Sequence, residues 1–253
     1  MHVRRRSPEL FLVVADVLAV GLLAAVVLTS TGGAPAPVAS RSAQAVGQVG
    51  SGRPVPVLFV VRGDSFADAL AGGPAAGSLG GPVLRLAGAG LTPEVREELA
   101  RLHPARIVVV GGPEAVSAEV AAELEDFTSG TVSRLAGTDR WSTAAEVARA
   151  FFEGPVERVL VADGSGNGGL LLAGSVAAGE DSPVLLVTPQ GVPESTAGAL
   201  RDLQPRSIVV LGSRADVPEA VLRSLRDFTS GQVTRVSEDS APRSDVGAGR
   251  LGG

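Results

Sequence analysis

The residues that could carry out chemistry in this chain lie mainly where short apolar runs end. Gly164–Gly169 has the spacing G-x-G-x-x-G after an apolar run, which is the context of a dinucleotide-binding turn. Such a site also needs an acidic residue about 20 positions later, at the end of the second strand. Glu180 and Asp181 instead precede the next apolar run. A nucleotide site is therefore only a distant alternative.

Pairs of carboxylates suggest a second chemistry, general acid and base catalysis. Asp64 stands close to Asp68 along the chain, and Glu114 stands close to Glu119, but the later half of the chain has no acidic residues equivalent to Asp64 and Asp68. The chain contains no cysteine and only 2 histidines, which excludes thiolate sites and multi-histidine metal sites. We predict a protein that is not an enzyme, with no catalytic residue, metal or cofactor.

Arginine is the remaining group that could bind a ligand. All 22 basic residues are arginine, and this bias, with 33 glycines and no tyrosine, is typical of a high-GC genome. The chain is 45% apolar and 19% charged, as expected for a folded protein with a core. Residues 1–45 carry four arginines against two carboxylates, so a chain of net charge −5 leaves −7 on the remainder. The negative electrostatic field of this remainder excludes general attraction to nucleic acid. An anionic ligand would need a local arginine cluster.

The N-terminus is typical of an export segment. Arg4–Arg6 precede an apolar stretch, Leu10–Leu28, that approaches the roughly 20 residues needed to cross a bilayer, with the charge on the cytoplasmic side. Asp16 within the stretch and the small-x-small sequence Ala43-Gln44-Ala45 favour a cleaved signal instead. We expect one transmembrane or signal helix, and a location at the cell membrane on its extracellular side, or in the wall or medium if the leader is cleaved. The predicted boundaries are 1–28 for this segment and 29–54 for a flexible linker.

The rest of the chain repeats one unit. Pro104–Gly111 recurs at Pro205–Gly212, and Asp126–Gly130 recurs unchanged at Asp227–Gly231, both at an offset of 101. Short Val/Leu/Ile runs alternate with Ala-rich stretches of helical period, which predicts βα units and a mostly parallel sheet. We predict two tandem α/β modules and a disordered tail, with the boundaries 55–137, 138–238 and 239–253.

The elements of both modules can be placed from these patterns. In the first module the predicted strands are Val57–Val61, Val83–Leu86, Ile107–Val110 and Val132–Leu135, and the helices are Phe66–Ala76, Pro93–Leu102 and Ala118–Phe127. In the second the strands are Val159–Ala162, Val184–Val187, Ile208–Leu211 and Val233–Val236, and the helices are Gly169–Ala178, Pro193–Leu203 and Pro218–Phe228. A helix at Trp141–Phe152 joins the modules. The predicted helix-capping residues are Thr92, Ser65 with Asp68, and Thr143 with Glu146.

Three blocks of sequence carry a family resemblance. Gly63–Ala71, Gly111–Ser117 and Arg134–Ala144, in this order and spacing, resemble the cell wall-binding repeat type 2 family. The resemblance implies Rossmann-like modules on surface proteins of Gram-positive bacteria. It also implies that they are non-catalytic and attach their protein to anionic secondary polymers of the cell wall. In that family the modules commonly occur as three in tandem.

The chain departs from this pattern in the number of modules. It has two, and the lead sequence Ala136–Arg140 appears once, before the second. A missing module would leave an apolar face uncovered, so we expect the modules to associate with each other, with a second copy of the chain or with other wall-binding modules. The alternative function is a membrane-tethered oligomerisation or interaction scaffold without affinity for the polymer. The distant alternative is an enzyme or nucleotide-binding protein.

An anionic polymer is best held by arginine forks and by backbone N–H groups at the carboxyl ends of strands. The candidate ligand-binding residues are Arg62, Asp64, Asp68, Gly111, Gly112, Asp139 and Arg140. The other interpretation of Asp139 and Arg140 is that they only cap and brace the helix that follows. Stacking on sugars is not expected, since the part of the chain after the leader has one tryptophan and few phenylalanines.

Overall fold

The computed structural model describes residues 54–88, 90–165 and 181–237, and the backbone of one short strand before them. The strands of the first module are β1 (Ala43–Val46), β2 (Leu58–Arg62), β3 (Val83–Leu86), β4 (Ile107–Val110) and β5 (Val132–Leu135). Its helices are α1 (Phe66–Ser78), α2 (Pro93–Leu102) and α3 (Ala118–Glu123). Helix α4 (Arg140–Phe151) leads into the second module. There the strands are β6 (Arg158–Asp163), β7 (Val184–Val187), β8 (Ser207–Leu211) and β9 (Val233–Val236), with helices α5 (Glu194–Leu203) and α6 (Glu219–Leu225).

The two sheets have the same parallel arrangement. The first has the strand order β1-β3-β2-β4-β5 and the second β7-β6-β8-β9, and every pairing is parallel except that of β1 with β3. Phe59 in the central strand β2 faces Val83 and Val108, and Leu160 in β6 faces Val184 and Val209 at the same register. All parallel strands of a sheet therefore end at one edge, where ligand sites of open α/β sheets form.

The predicted fold of two α/β modules with mostly parallel sheets is confirmed. The predicted helices at Ala118–Phe127 and Pro218–Phe228 differ in their last turn, which is a 3-10 helix at Leu124–Phe127 and at Arg226–Phe228. Four residues of the predicted linker, Ala43–Val46, form β1 instead.

Some predictions fall on other parts of the chain. The parts of the chain that lie outside the described residues are the export segment 1–28, most of the linker 29–54, the predicted helix Gly169–Ala178 and the whole tail 239–253. Among the helices that the structure describes, none combines the length and the apolar character needed to cross a bilayer.

The two modules share one hydrophobic core. Helix α1 packs against α4 and also against β7 of the second sheet, so both helices lie between the modules. Phe59 of the first sheet and Leu160 of the second belong to one buried cluster, and the Phe59 ring lies 5.1 Å from the ring of Phe151 at the end of α4. Separate clusters cover the outer face of each sheet. The modules are thus associated with each other, while association with a second chain stays a prediction.

The repeated sequence Asp-Phe-Thr-Ser-Gly forms a tight turn that leads into the last strand of each module. The Thr128 hydroxyl donates to the Pro104 carbonyl at 2.8 Å and accepts the Gly130 N–H at 3.1 Å. A Cβ atom on Gly130 would overlap the carbonyl oxygen of Ala105, and one on Gly231 would overlap that of Arg206. Both turns need glycine because backbone lies directly against backbone.

We expect Gly130→Ala to lower the free energy of unfolding by about 1–3 kcal/mol, because the added methyl group forces the turn away from Ala105. Gly77→Ala in α1 is the control, since its Cβ would meet no atom within 4 Å. It should be neutral or stabilise by up to about 1 kcal/mol. Urea denaturation measures both variants, and equal stability of the two would contradict this account of the turn.

Candidate functional site

A cleft of about 740 Å³ opens at the carboxyl ends of β2, β3 and β4. Its walls come from the turn after β2, the loop after β3 and the segment between β4 and α3. The lining residues that carry charge are Arg62, Asp64, Arg85 and Glu114. Because the three strands are parallel and in register, their ends bring these side chains to one place.

Arg62 is the last residue of β2 and forms a two-pronged ion pair with Asp64. Its Nε lies 2.5 Å from Asp64 Oδ1, and its Nη2 donates to Asp64 Oδ2 at 2.9 Å. Nη1 donates to the Glu114 carbonyl at 3.2 Å, which fixes the guanidinium across the cleft. The side chains of Arg62 and Asp64 are 46% and 68% exposed, so the pair contributes little to stability and stays accessible to a ligand.

Arg85 is a second cleft arginine that the sequence analysis did not identify. It lies within β3, where its guanidinium donates to the Gly63 carbonyl and sits 5.0 Å from the centroid of the Phe66 ring. The available signal was a charge inside an otherwise apolar strand, Val83–Leu86, at a position where the second copy has Leu186. Since strand interiors are usually apolar, the charge indicated a site at the end of β3.

Asp68 and Gly111 lie behind the cleft and do not line it. Asp68 is buried in the first turn of α1, where its N–H donates to the Ser65 hydroxyl at 3.3 Å, as predicted for a helix cap. Gly111 has φ of 106°, and a Cβ there would lie 3.0 Å from Asp68 Oδ2. Burial raises the pKa of Asp68, opposed by the Ser65 hydrogen bond and by the charges of Arg140 and Arg62.

The raised pKa of Asp68 predicts a pH-dependent contribution to stability. Above the ordinary value of 3.8 the unfolded Asp68 ionises while the folded one holds its proton, so this contribution is lost as pH rises through the folded pKa. Asp68→Asn, which cannot ionise, should be more stable than the native chain at about pH 7 and similar to it at about pH 3. Denaturation at both pH values measures the difference. An Asn variant that is less stable at neutral pH would mean that attraction to the arginines outweighs the burial of the charge.

Asp139 and Arg140 lie at the junction of the modules. Asp139 Oδ1 accepts the Ser142 N–H at 2.7 Å, and the Asp139 N–H donates to the Ser142 hydroxyl at 3.0 Å, which completes a capping box at the start of α4. Arg140 Nη1 donates to the Gly164 carbonyl at 2.7 Å, and the Trp141 indole N–H donates to the Val187 carbonyl at 3.0 Å. The start of α4 is thus fastened to the carboxyl edge of the second sheet.

The predicted capping box of Thr143 with Glu146 is wrong. Thr143 is buried in the first turn of α4, and its hydroxyl accepts the Gly137 N–H at 3.0 Å. The cap is at Asp139, four residues earlier, and the next two residues, Arg140 and Trp141, bond to the second sheet. Thr92 does cap α2, where its hydroxyl accepts the Val95 N–H at 3.4 Å.

The seven candidate residues therefore fall into three places. Arg62 and Asp64 line the cleft, whereas Asp139 and Arg140 form the junction. Behind the cleft, Asp68 and Gly111 pack together, and Gly112 follows in the turn after β4. The cleft has Arg85 and Glu114 as further charged members.

Comparison with known proteins assigns the family. The family model described as cell wall binding domain 2 matches residues 6–121 and 134–222, most of the chain. The chain belongs to the cell wall binding domain 2 family. The predicted resemblance is thereby confirmed, and the matched segments include most of both α/β modules.

Two relatives from Bacillus subtilis are longer than this cell wall binding domain 2 chain. It is 26% identical over 166 residues to the N-acetylmuramoyl-L-alanine amidase LytC of Bacillus subtilis, a match that covers 66% of this chain and 33% of LytC. It is 26% identical over 175 residues to the amidase enhancer of the same organism, covering 69% and 23%. The chain thus spans a third or less of these relatives. Cwp6 from Clostridium difficile has the same fold, with a TM-score of 0.66 and 21% identity over 73% of this chain and 30% of Cwp6.

Proposed function

We propose that this chain attaches to the bacterial cell wall and that the first module holds an anionic secondary wall polymer in its cleft. The observation that carries the proposal is that Arg62 and Arg85 both line one cleft at the carboxyl edge of the sheet. Membership of the cell wall binding domain 2 family supports the wall as the target.

The chemistry of the cleft supports an anionic ligand. A guanidinium presents several N–H donors in a plane, so it pairs with a phosphate or carboxylate in a fixed geometry. The chain carries a net charge of −5, and a polymer of the same sign would be attracted only where arginines are concentrated. Arg85 covers the Phe66 ring, which disfavours stacking of a sugar on that ring.

The same cleft supports attachment rather than catalysis. Among its lining residues the one hydroxyl is that of Ser117, which accepts the Val120 N–H at the start of α3. The Asp64 carboxylate is paired with Arg62, which weakens it as a base. A nucleophile paired with a base, which acyl transfer would need, is not assembled by these side chains. We infer a non-enzymatic protein of the cell surface, held by its N-terminal segment or released to the wall.

Sedimentation with purified cell walls tests this function. The full chain should sediment with untreated walls and should remain in the supernatant with walls whose phosphodiester-linked polymers have been removed by hydrofluoric acid. Binding should also weaken as salt increases, because the contact is between charges. Equal sedimentation with treated and untreated walls would exclude the secondary polymer as the ligand. Failure to sediment with either would favour the interaction scaffold.

Arg140 gives a separate prediction, because its guanidinium bonds to Gly164 and lies near Asp68. We expect Arg140→Ala to reduce the free energy of unfolding by about 1–3 kcal/mol, since it leaves the Gly164 carbonyl without this charged donor. The affinity of the folded fraction for wall polymer should not change. Melting temperature and affinity are measured on the same samples. A tenfold loss of affinity in folded protein would instead place Arg140 in the polymer site.

A further inference from the structure

The edge of the second sheet has the same backbone frame as the proposed polymer site. Gly111 and Gly212 follow the equivalent strands β4 and β8 with φ of 106° and 125°. Arg134 and Arg235 donate to the carbonyls of these glycines at 2.8 Å and 3.1 Å. The two edges can therefore be compared position by position, at the offset of 101.

The side chains of the second edge differ at every charged position of the cleft. The replacements are Asp163 for Arg62, Ser165 for Asp64, Leu186 for Arg85 and Ala215 for Glu114. Both arginines that face the first cleft are lost, and one of them becomes an acid. The second edge thus lacks the donors that an anionic polymer needs at these positions.

The space of the second edge is occupied by the start of α4. Arg140 donates to the Gly164 carbonyl, which is the counterpart of the Gly63 carbonyl that Arg85 meets in the first module. A Cβ on Gly164 would lie 2.8 Å from the indole nitrogen of Trp141 and 3.2 Å from Leu186 Cβ. The indole therefore packs directly on the turn that follows β6, whereas the counterpart turn at Gly63 lines the cleft of the first module.

A carboxylate of the chain also accepts a hydrogen bond from a backbone N–H at the second edge. Asp216 Oδ2 accepts the Ser213 N–H at 2.8 Å and the Ser213 hydroxyl at 2.7 Å. The counterparts in the first module are Ala115 and Gly112, and within the described residues the Gly112 N–H makes no hydrogen bond. An internal anion thus sits where the first module has a backbone N–H without an acceptor among the described residues.

We infer that the described residues form a single polymer site, the cleft of the first module, and that the second module is a support whose own edge is closed by Arg140, Trp141 and Asp216. The inference rests on the proposed function and adds how many sites the chain has and where they are. One site per chain means that the chain gains no avidity from its repeated modules.

Calorimetric titration of the full chain with a short glycerol phosphate oligomer tests this inference. We expect one equivalent of oligomer per chain and at least tenfold weaker binding by Arg85→Glu. The matched control is Arg214→Glu in the second module, at the counterpart of Pro113, where the side chain is 81% exposed. This variant should bind like the native chain. Circular dichroism establishes that each variant is folded.

Four results would overturn the single site. These are two equivalents per chain, native affinity in folded Arg85→Glu, a tenfold loss in folded Arg214→Glu, and the absence of any oligomer binding by the native chain. The proposed function is judged separately by sedimentation with walls, so a chain that binds walls through two sites would contradict only the inference made here.

Discussion

Replacing Phe59 with alanine is expected to lower the free energy of unfolding by about 3–5 kcal/mol and to destabilise both modules together. The Phe59 side chain is fully buried in the cluster that the two sheets share, and its ring contacts that of Phe151 in α4. Removing the ring leaves a cavity between the modules. Chemical denaturation followed by circular dichroism measures the loss of stability.

Hydrogen exchange shows whether the second module responds to this change. Amides of β6 and β8 should lose protection in Phe59→Ala, although the substituted strand belongs to the first sheet. Leu99→Ala is the control, because Leu99 is fully buried in the outer cluster of the first module. Leu99→Ala should lower the free energy of unfolding by about 2–5 kcal/mol and should destabilise mainly the first module. Unchanged protection of β6 and β8 in Phe59→Ala would show that the modules are independent.

The double variant Arg62→Ala/Arg85→Ala is expected to bind wall polymer at least about 100-fold more weakly. Each guanidinium that pairs with an anion contributes about 1.5–3 kcal/mol, and each tenfold change in affinity corresponds to about 1.4 kcal/mol. Stability should change little through the exposed pair of Arg62 with Asp64. Affinity and melting temperature are compared with those of the native chain.

Asp64→Asn is a control that should change affinity in the opposite direction. Asp64 neutralises Arg62 inside the cleft, so an anionic polymer must compete with its carboxylate. The amide keeps the size of the side chain and removes the charge, and the variant should therefore bind more tightly. Weaker binding by Asp64→Asn, or native binding by the double arginine variant, would exclude Arg62 and Arg85 as the contacts for an anion.

The strands were the most predictable part of this fold. Ile107–Val110 and Val184–Val187 are short apolar runs between turn residues, and the structure gives them the predicted bounds. Such runs leave little choice, because a strand covered on both faces must be apolar throughout. The start of α4 was harder to predict, since Thr143 and Asp139 are both residue types that cap helices. Packing against the second sheet decides between them, and this contact has no local signal in the sequence.

The candidate site could be predicted only in part. Arg62 and Asp64 were identifiable because they directly follow an apolar strand, and the structure places both in the cleft. Arg85 was missed because a residue inside a predicted strand is read as part of the core. The contact of Arg140 with Gly164 joins residues that are far apart in sequence, so only the packing of α4 against the second module reveals it.

Mapping of backbone amides in the full chain while purified wall polymer is added tests the central claim most directly. Nuclear magnetic resonance should show shifts at the first cleft, in the segments Arg62–Asp64, Arg85–Gly88 and Glu114–Ser117. The counterparts in the second module, Asp163–Ser165 and Leu186–Thr188, should stay unchanged. Shifts concentrated at the second edge, or no shifts at the first cleft under conditions where the polymer binds, would contradict the claim that this cleft holds the wall polymer.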